Sequence, residues 1–244
     1  MSRFLLYIIL GVFASDCNAQ ILDFRIVNLK NIGNVPVPKS LDTLGQGLFK
    51  SVKLDAAREF LDSIKLKNSF QIRLAQLIES RFDTSVTIFL STRVIDSILD
   101  SLFTTSFAEK IYPEIVWTPT IYIQKKKFKY HSIEMQKIMA NSSNQAAITK
   151  RISSAYIDVM KNLLPEMVIS DTSTSYFWYM KKFPVIKLKV TYSVKDYPNK
   201  SYIQNVFSIY KGYFNYYVRF EFAKDQEKEW KYFEEDFFDK LRLL

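Results

Sequence analysis

The chain has 244 residues, 48% of them hydrophobic and 16% aromatic, with a formal net charge of +9. This composition excludes a disordered chain, and only five glycines argue against Gly-rich phosphate loops and Gly-punctuated repeats. One cysteine and one histidine leave no basis for a metal centre built on those ligands.

The first nineteen residues have the layout of a secretory signal peptide. Arg3 gives a basic start, Phe4 to Phe13 forms a short apolar block, and Cys17-Asn18-Ala19 precedes Gln20. The block is shorter than the roughly 20 apolar residues that a membrane-spanning helix needs. The expectation is therefore a leader at 1–19 and one exported domain at 20–244, periplasmic or secreted. An alternative makes Cys17 a lipid-attachment site, although Asp16 stands where such sites want a small uncharged residue. Cleavage after Ala19 would leave no cysteine, and export without disulfides fits a bacterial envelope protein. No second apolar run reaches membrane-spanning length, so no transmembrane segment is expected once the leader is gone. The triplets beginning at Asn141 and Asn199 fit the glycosylation sequon, which matters only in a eukaryotic secretory route.

Phe24–Leu29 reads as a strand, followed by a loop carrying Pro36 and Pro38. Residues 53–66 suit a short helix. Alternation at Phe70, Ile72 and Leu74, and again at Val86, Ile88 and Leu90, predicts a hairpin. A helix near 95–110 would be capped by Asp96. In 111–140 the chain reads as a projecting insertion, with Ile121–Ile123 and Phe128–His131 pairing across the lysines as a ribbon. A helix at 145–164 follows from Ile148, Ile152, Ala155, Val159 and Leu163, with Ser143 or Asn144 at its start and Pro165 at its end.

The last eighty residues are the most legible. Ser173–Met180 predicts a strand, and Ile203, Phe207 and Ile209 mark another. Between and after them, Ile186, Leu188, Val190, Tyr192 and Val194 alternate with polar residues, as do Phe214, Tyr216, Val218, Phe220 and Phe222. A closing helix follows, capped by Asp225, with Trp230, Phe233, Phe237 and Leu241 on one stripe. That helix is expected across the apolar face of the meander. The fold class is α+β: an antiparallel sheet packed against helices, including this C-terminal amphipathic one.

The segments Val35–Ser40 and Phe183–Tyr192, the aromatic strand Phe214–Phe222 and the closing helix with Trp230 carry a resemblance. Their order resembles the α/β sandwich of the Mog1/PsbP-like superfamily, as in small uncharacterised exported bacterial proteins. The resemblance implies a non-enzymatic accessory or binding role and carries over no functional residue.

Catalytic groups are hard to assemble from this sequence. His131 has Tyr130 and Ser132 beside it, and no G-x-S-x-G elbow occurs, so it reads as an ordinary surface or partly buried histidine. The acids Glu227, Glu229, Glu234, Glu235, Asp236 and Asp239 are interleaved with lysines and read as a solvated helix face. No catalytic residue, metal or cofactor is assigned. Two surfaces are candidates for binding. Lys187, Lys189, Tyr217 and Arg219 should project from one polar face of the sheet, beside Tyr210 and Tyr176, where cations and aromatics suit an anionic or sugar-bearing ligand. The competing reading is a second helix covering that face. The 117–131 segment offers Trp117, Lys125, Lys126 and Lys127 with Tyr122, Phe128 and Tyr130, suited to membrane headgroups or a partner. It competes with an ordinary variable hairpin. An exported protein meets little RNA, and no RNP-type run is present, so nucleic acid is not an expected partner. The reading is a binding or accessory protein of the bacterial envelope, against a carboxylate-based hydrolase or a structural component of a surface assembly.

Overall fold

A computed structural model describes residues 22–43, 86–91, 119–163, 166–195 and 197–244. The leader, the helices expected at 53–66 and 95–110, the strand expected at 70–74, and Trp117 lie outside the described residues.

Two antiparallel sheets and three helices make up the described part, a mixed α+β fold. The small sheet has the order β1-β2-β10, formed by Phe24–Leu29 (β1), Gly33–Pro38 (β2) and Arg242–Leu243 (β10). The large sheet comprises Leu41–Thr43 (β3), Val86–Ser91 (β4), Thr120–Lys127 (β5), Met167–Tyr179 (β6), Phe183–Val194 (β7), Tyr197–Lys211 (β8) and Phe214–Ala223 (β9). Its order is β3-β4-β5-β9-β8-β7-β6. The helices are Ser132–Met139 (α1), Ser142–Leu163 (α2) and Glu227–Lys240 (α3).

Several expected elements stand where they were placed: β1, the four strands of the final meander, α2 and α3. Others differ. The loop around Pro36 and Pro38 is strand β2, paired along its length with β1. It tolerates prolines because β10 pairs only with Gly33 and Asn34, so beyond them one side of β2 needs no ladder donor. The ribbon expected within 117–131 does not project. Residues 120–127 form a strand inside the large sheet, between β4 and β9, with Ile121 and Ile123 fully buried. Apolar alternation on that strand reports burial in the sheet, and its lysines mark only the end of the strand.

The sheet is covered on both faces. On one face α3 and the small sheet close over Val185, Ile203, Phe207, Tyr216, Val218, Phe220 and Phe222. Trp230 stacks on Phe222 with ring centroids 5.0 Å apart, and Phe237 meets Phe220 edge-on at 4.9 Å. Burying the three aromatics Trp230, Phe233 and Phe237 stabilises by about 2 kcal/mol each. On the other face α1 and α2 cover Ile186, Leu188, Val190, Tyr192, Val206 and Tyr210. The apolar sets of β7 and β9 thus point in opposite directions, and α3 covers only the second. Register explains this: Leu188 stands opposite Val206, and Val206 opposite Arg219, so the apolar row of β7 aligns with the polar row of β9.

Helix ends also differ from expectation. Asp225 lies in a short 3-10 turn, Lys224–Gln226, that leads into α3, whose N-cap position is Gln226. At α2 the capping side chain is Asn141, whose Oδ1 accepts from the amides of Ser143 and Asn144. The face of α2 is rotated as well: Val159 is exposed, while Ile152, Tyr156 and Met160 turn towards the sheet.

Gly33 is required by a close approach. It sits at φ +125°, and a Cβ there would lie 2.0 Å from the carbonyl oxygen of Arg242. The turn between β6 and β7 is the reverse case. Met180 and Lys181 adopt φ 51° and 56°, the left-handed region, where an L side chain costs about 1 kcal/mol or more per residue.

Candidate binding surface

The four residues assigned to one polar face lie on two. Lys187 and Lys189 share the α3 face, because Lys187 stands opposite Phe207 and Phe207 opposite Val218. Tyr217 and Arg219 face α2. The period-two pattern fixes which residues of one strand share a side, but alignment across strands requires the register.

On the α3 face both lysines are consumed internally. Lys187 Nζ lies 2.5 Å from Glu234 Oε1, and Asn205 Nδ2 donates to Glu234 Oε2 at 3.0 Å. Lys189 pairs with Glu227 at the first turn of α3. Burial raises the Glu234 carboxyl, and Lys187 opposes it without cancelling it. These pairs clip the helix to the sheet. Two acids of the α3 cluster therefore bind the sheet, Glu234 largely enclosed and Glu227 at the half-open rim.

On the α2 face, Arg219 and Tyr217 belong to a buried polar network. The Tyr156 hydroxyl donates to Gln204 Oε1 at 2.6 Å and also meets Tyr217 and Arg219. Tyr192 donates to Glu221 Oε1 at 2.5 Å. Arg219 Nε lies 3.8 Å from Glu221 Oε2, and the guanidinium rests 5.1 Å from the Tyr122 ring centre. Burial raises both the Tyr156 and the Tyr217 hydroxyl. Burial pulls the Arg219 guanidinium down, yet Glu221 and the two tyrosines together lift it above its ordinary value. The group is charged, enclosed and structural. The helix that would cover this face is present, so neither half of the four-residue set is an open surface.

Lys125, Lys126 and Lys127 have a different fate. They end β5 opposite Tyr216, Asn215 and Phe214 at the start of β9. This brings them to the end of the sheet where two hairpins turn. In the β8–β9 hairpin, Lys211 pairs with Phe214, leaving Gly212 and Tyr213 as the loop, with Gly212 at φ +59° as a first loop position often requires. Chain 128–132 is tied down beside it. Phe128 donates its amide to the Tyr213 carbonyl at 2.7 Å, and Ser132 to the Gly212 carbonyl at 2.7 Å. Ser132 Oγ accepts from the Gly212 amide at 3.1 Å. Gln136 of α1 donates to the Lys182 carbonyl, fixing the β6–β7 turn to the same end.

His131 holds this junction together. Its Nδ1 accepts from the Ile133 amide at 3.2 Å, while Glu134 Oε2 accepts from the His131 amide at 3.2 Å, a reciprocal capping box. Its ring meets Tyr213 edge-on at 4.9 Å. The one histidine is a helix cap.

The three stretches 125–132, 180–183 and 211–214 are thus one surface. They supply Lys125, Lys126, Lys127 and Lys129 from the first, Lys181 and Lys182 from the second and Lys211 from the third, with no aspartate or glutamate in any of them. Lys125 Nζ lies 4.4 Å from the Phe214 ring centre and donates to the Asn31 carbonyl at 2.9 Å, so it also pins the β1–β2 turn. Lys211 Nζ donates to the Leu243 carbonyl at 2.5 Å. Burial, with Lys125 nearby, lowers the Lys211 ammonium. Lys126, Lys127, Lys129, Lys181 and Lys182 are exposed. Such an array is strongly cationic. Among the described residues, no three of His, Cys, Asp or Glu converge to hold a metal ion.

Comparison with protein-family models, with curated proteins and with solved structures finds no match. The surface therefore has to be understood from its own chemistry. Sequence reading found the 125–127 lysines but missed the two hairpin turns beside them. The signal available was the pair of short turns Met180-Lys181-Lys182 and Lys211-Gly212-Tyr213, each basic, each closing two legible strands.

Proposed function

We propose that this chain is an exported, non-enzymatic binding or accessory protein of the bacterial envelope, engaging an anionic ligand or partner through the basic end of its large sheet. One observation carries the reading: three stretches distant in sequence converge there with seven lysines and no acid of their own, and Glu134 of α1, beside them, is engaged by the His131 amide. The leader-like first nineteen residues support export. The antiparallel sheet, helices on its faces and closing C-terminal helix support the Mog1/PsbP-like likeness, with the accessory role that likeness implies.

Capture of interacting molecules from a bacterial envelope fraction by the full chain tests the reading. Lys126→Glu/Lys127→Glu should lose the captured species by tenfold or more, because both side chains are exposed at the end of β5 and reversal turns attraction into repulsion. Capture that is unchanged by this variant would reject the basic end as the binding surface. A turnover activity abolished by a single carboxylate substitution would reject the non-enzymatic part.

A further inference from the structure

We infer that the basic end of the sheet docks on an anionic lipid bilayer, its lysines among the headgroups and its exposed apolar side chains in the interfacial layer. This rests on the binding reading above and specifies the ligand as a membrane surface.

The apolar side chains decide between a bilayer and a soluble polyanion. Among the described residues, eleven large hydrophobic side chains are exposed, and six belong to this one end: Tyr130, Ile133, Trp178, Met180, Tyr213 and Phe214. Met180 and Tyr213 stand at the two hairpin tips with 55% and 56% of their surface open. Lysines alone would serve an acidic polysaccharide or a phosphate polymer equally well. Met180 and Ile133 gain nothing from either of those, but they lose water contact in a lipid interface. Tyrosine and tryptophan favour the headgroup level, with the ring buried and the polar edge wet.

The β6–β7 turn points the same way. Glycine or asparagine takes left-handed positions with least strain, yet this turn places Met180 and Lys181 there. The geometry sets an apolar and a cationic side chain together at the tip, against local conformational preference. The surface is also formed in advance. Backbone bonds from Phe128 and Ser132, with the Gln136 contact, join the turns before any ligand arrives, so little ordering is left for binding.

Each lysine close to an anionic leaflet strengthens binding by about fivefold, and the effect fades beyond a Debye length. Sedimentation with vesicles of phosphatidylcholine containing phosphatidylglycerol, and with phosphatidylcholine alone, is the experiment. The full chain should bind the anionic vesicles, weaken steeply as salt rises, and ignore the neutral ones. Met180→Asn/Lys181→Gly removes both tip side chains and relieves the strained turn. It should melt no lower than the parent and bind at least tenfold more weakly. Lys195→Glu/Lys200→Glu changes the net charge as much as Lys126→Glu/Lys127→Glu does, at the opposite end of the sheet, and should leave binding within about twofold. Equal binding to neutral vesicles, equal loss from the two charge reversals, or full binding by the turn variant would overturn the inference. Failure to bind anionic vesicles would overturn it too. If capture from the envelope still depended on Lys126 and Lys127 in that case, the binding reading would stand with a soluble polyanion or a protein as its ligand.

Discussion

Lys187 illustrates how much a single side chain owes to its neighbours. Its partner Glu234 keeps a raised pKa in the fold, with burial the larger cause and Lys187 the chief counterweight. A carboxyl whose folded value exceeds its unfolded one costs stability as pH rises past the unfolded value near 4.5, and that cost is absent in acid. Taking Lys187 away raises the folded value further. Lys187→Met should therefore destabilise by about 1–3 kcal/mol near neutral pH, and the deficit should shrink towards pH 4 as Glu234 protonates. Denaturant unfolding at both pH values checks this; an equal deficit at each would assign the loss to packing instead. Arg219→Met should cost about 3 kcal/mol, because Glu221 would stay buried without its cation. Adding Glu221→Gln should recover most of that loss, measured as a double-mutant cycle. Neither role was visible in the sequence. A lysine alternating with leucine looks solvent-facing wherever only one sheet face is assumed to be buried. Here both faces are buried, and the acids that receive Lys187 and Lys189 come from a helix about forty residues later.

At the scale of elements, the legible ones were those whose periodicity one partner satisfies. Strands β7 to β9 and helix α3 carry long, regular apolar rows, and the sequence locates them closely. Strand β5 failed because its apolar row is short and three lysines follow it at once, which mimics a surface ribbon. Strand β2 failed because its prolines read as loop residues, although ladder bonds on one side alone leave room for them. Strand β10 was invisible: two residues carry no periodicity. Yet it has many ties. Leu243 is buried, and the carbonyl oxygens of Leu243 and Leu244 accept from Lys211 and Tyr216. Burial raises the Tyr216 hydroxyl to about 12, so it remains a donor across the physiological range. Deleting 242–244 should lower stability by about 3–5 kcal/mol, through the lost Leu243 contacts and two orphaned donors. A smaller change in unfolding free energy would show that β10 is peripheral.

For the whole molecule, the α+β class and the final meander follow from the pattern, and the basic end of the sheet does not. It is assembled from a strand end and two hairpin turns, and turns have no period. Only the order β5-β9-β8-β7-β6 reveals that Lys127, Lys181 and Tyr213 share one end of the sheet. The same topology sets a timetable. Strand β2 waits for a companion made some two hundred residues later, since Asn34 meets Arg242 and Gly33 meets Leu243. A ribosome emits Gly33 long before Leu243. Until then the small sheet lacks one strand and Lys211 lacks its acceptor. The small sheet therefore closes only when two segments from far apart in the chain have both been made, and its last strand is a seal set on a body already folded around the meander.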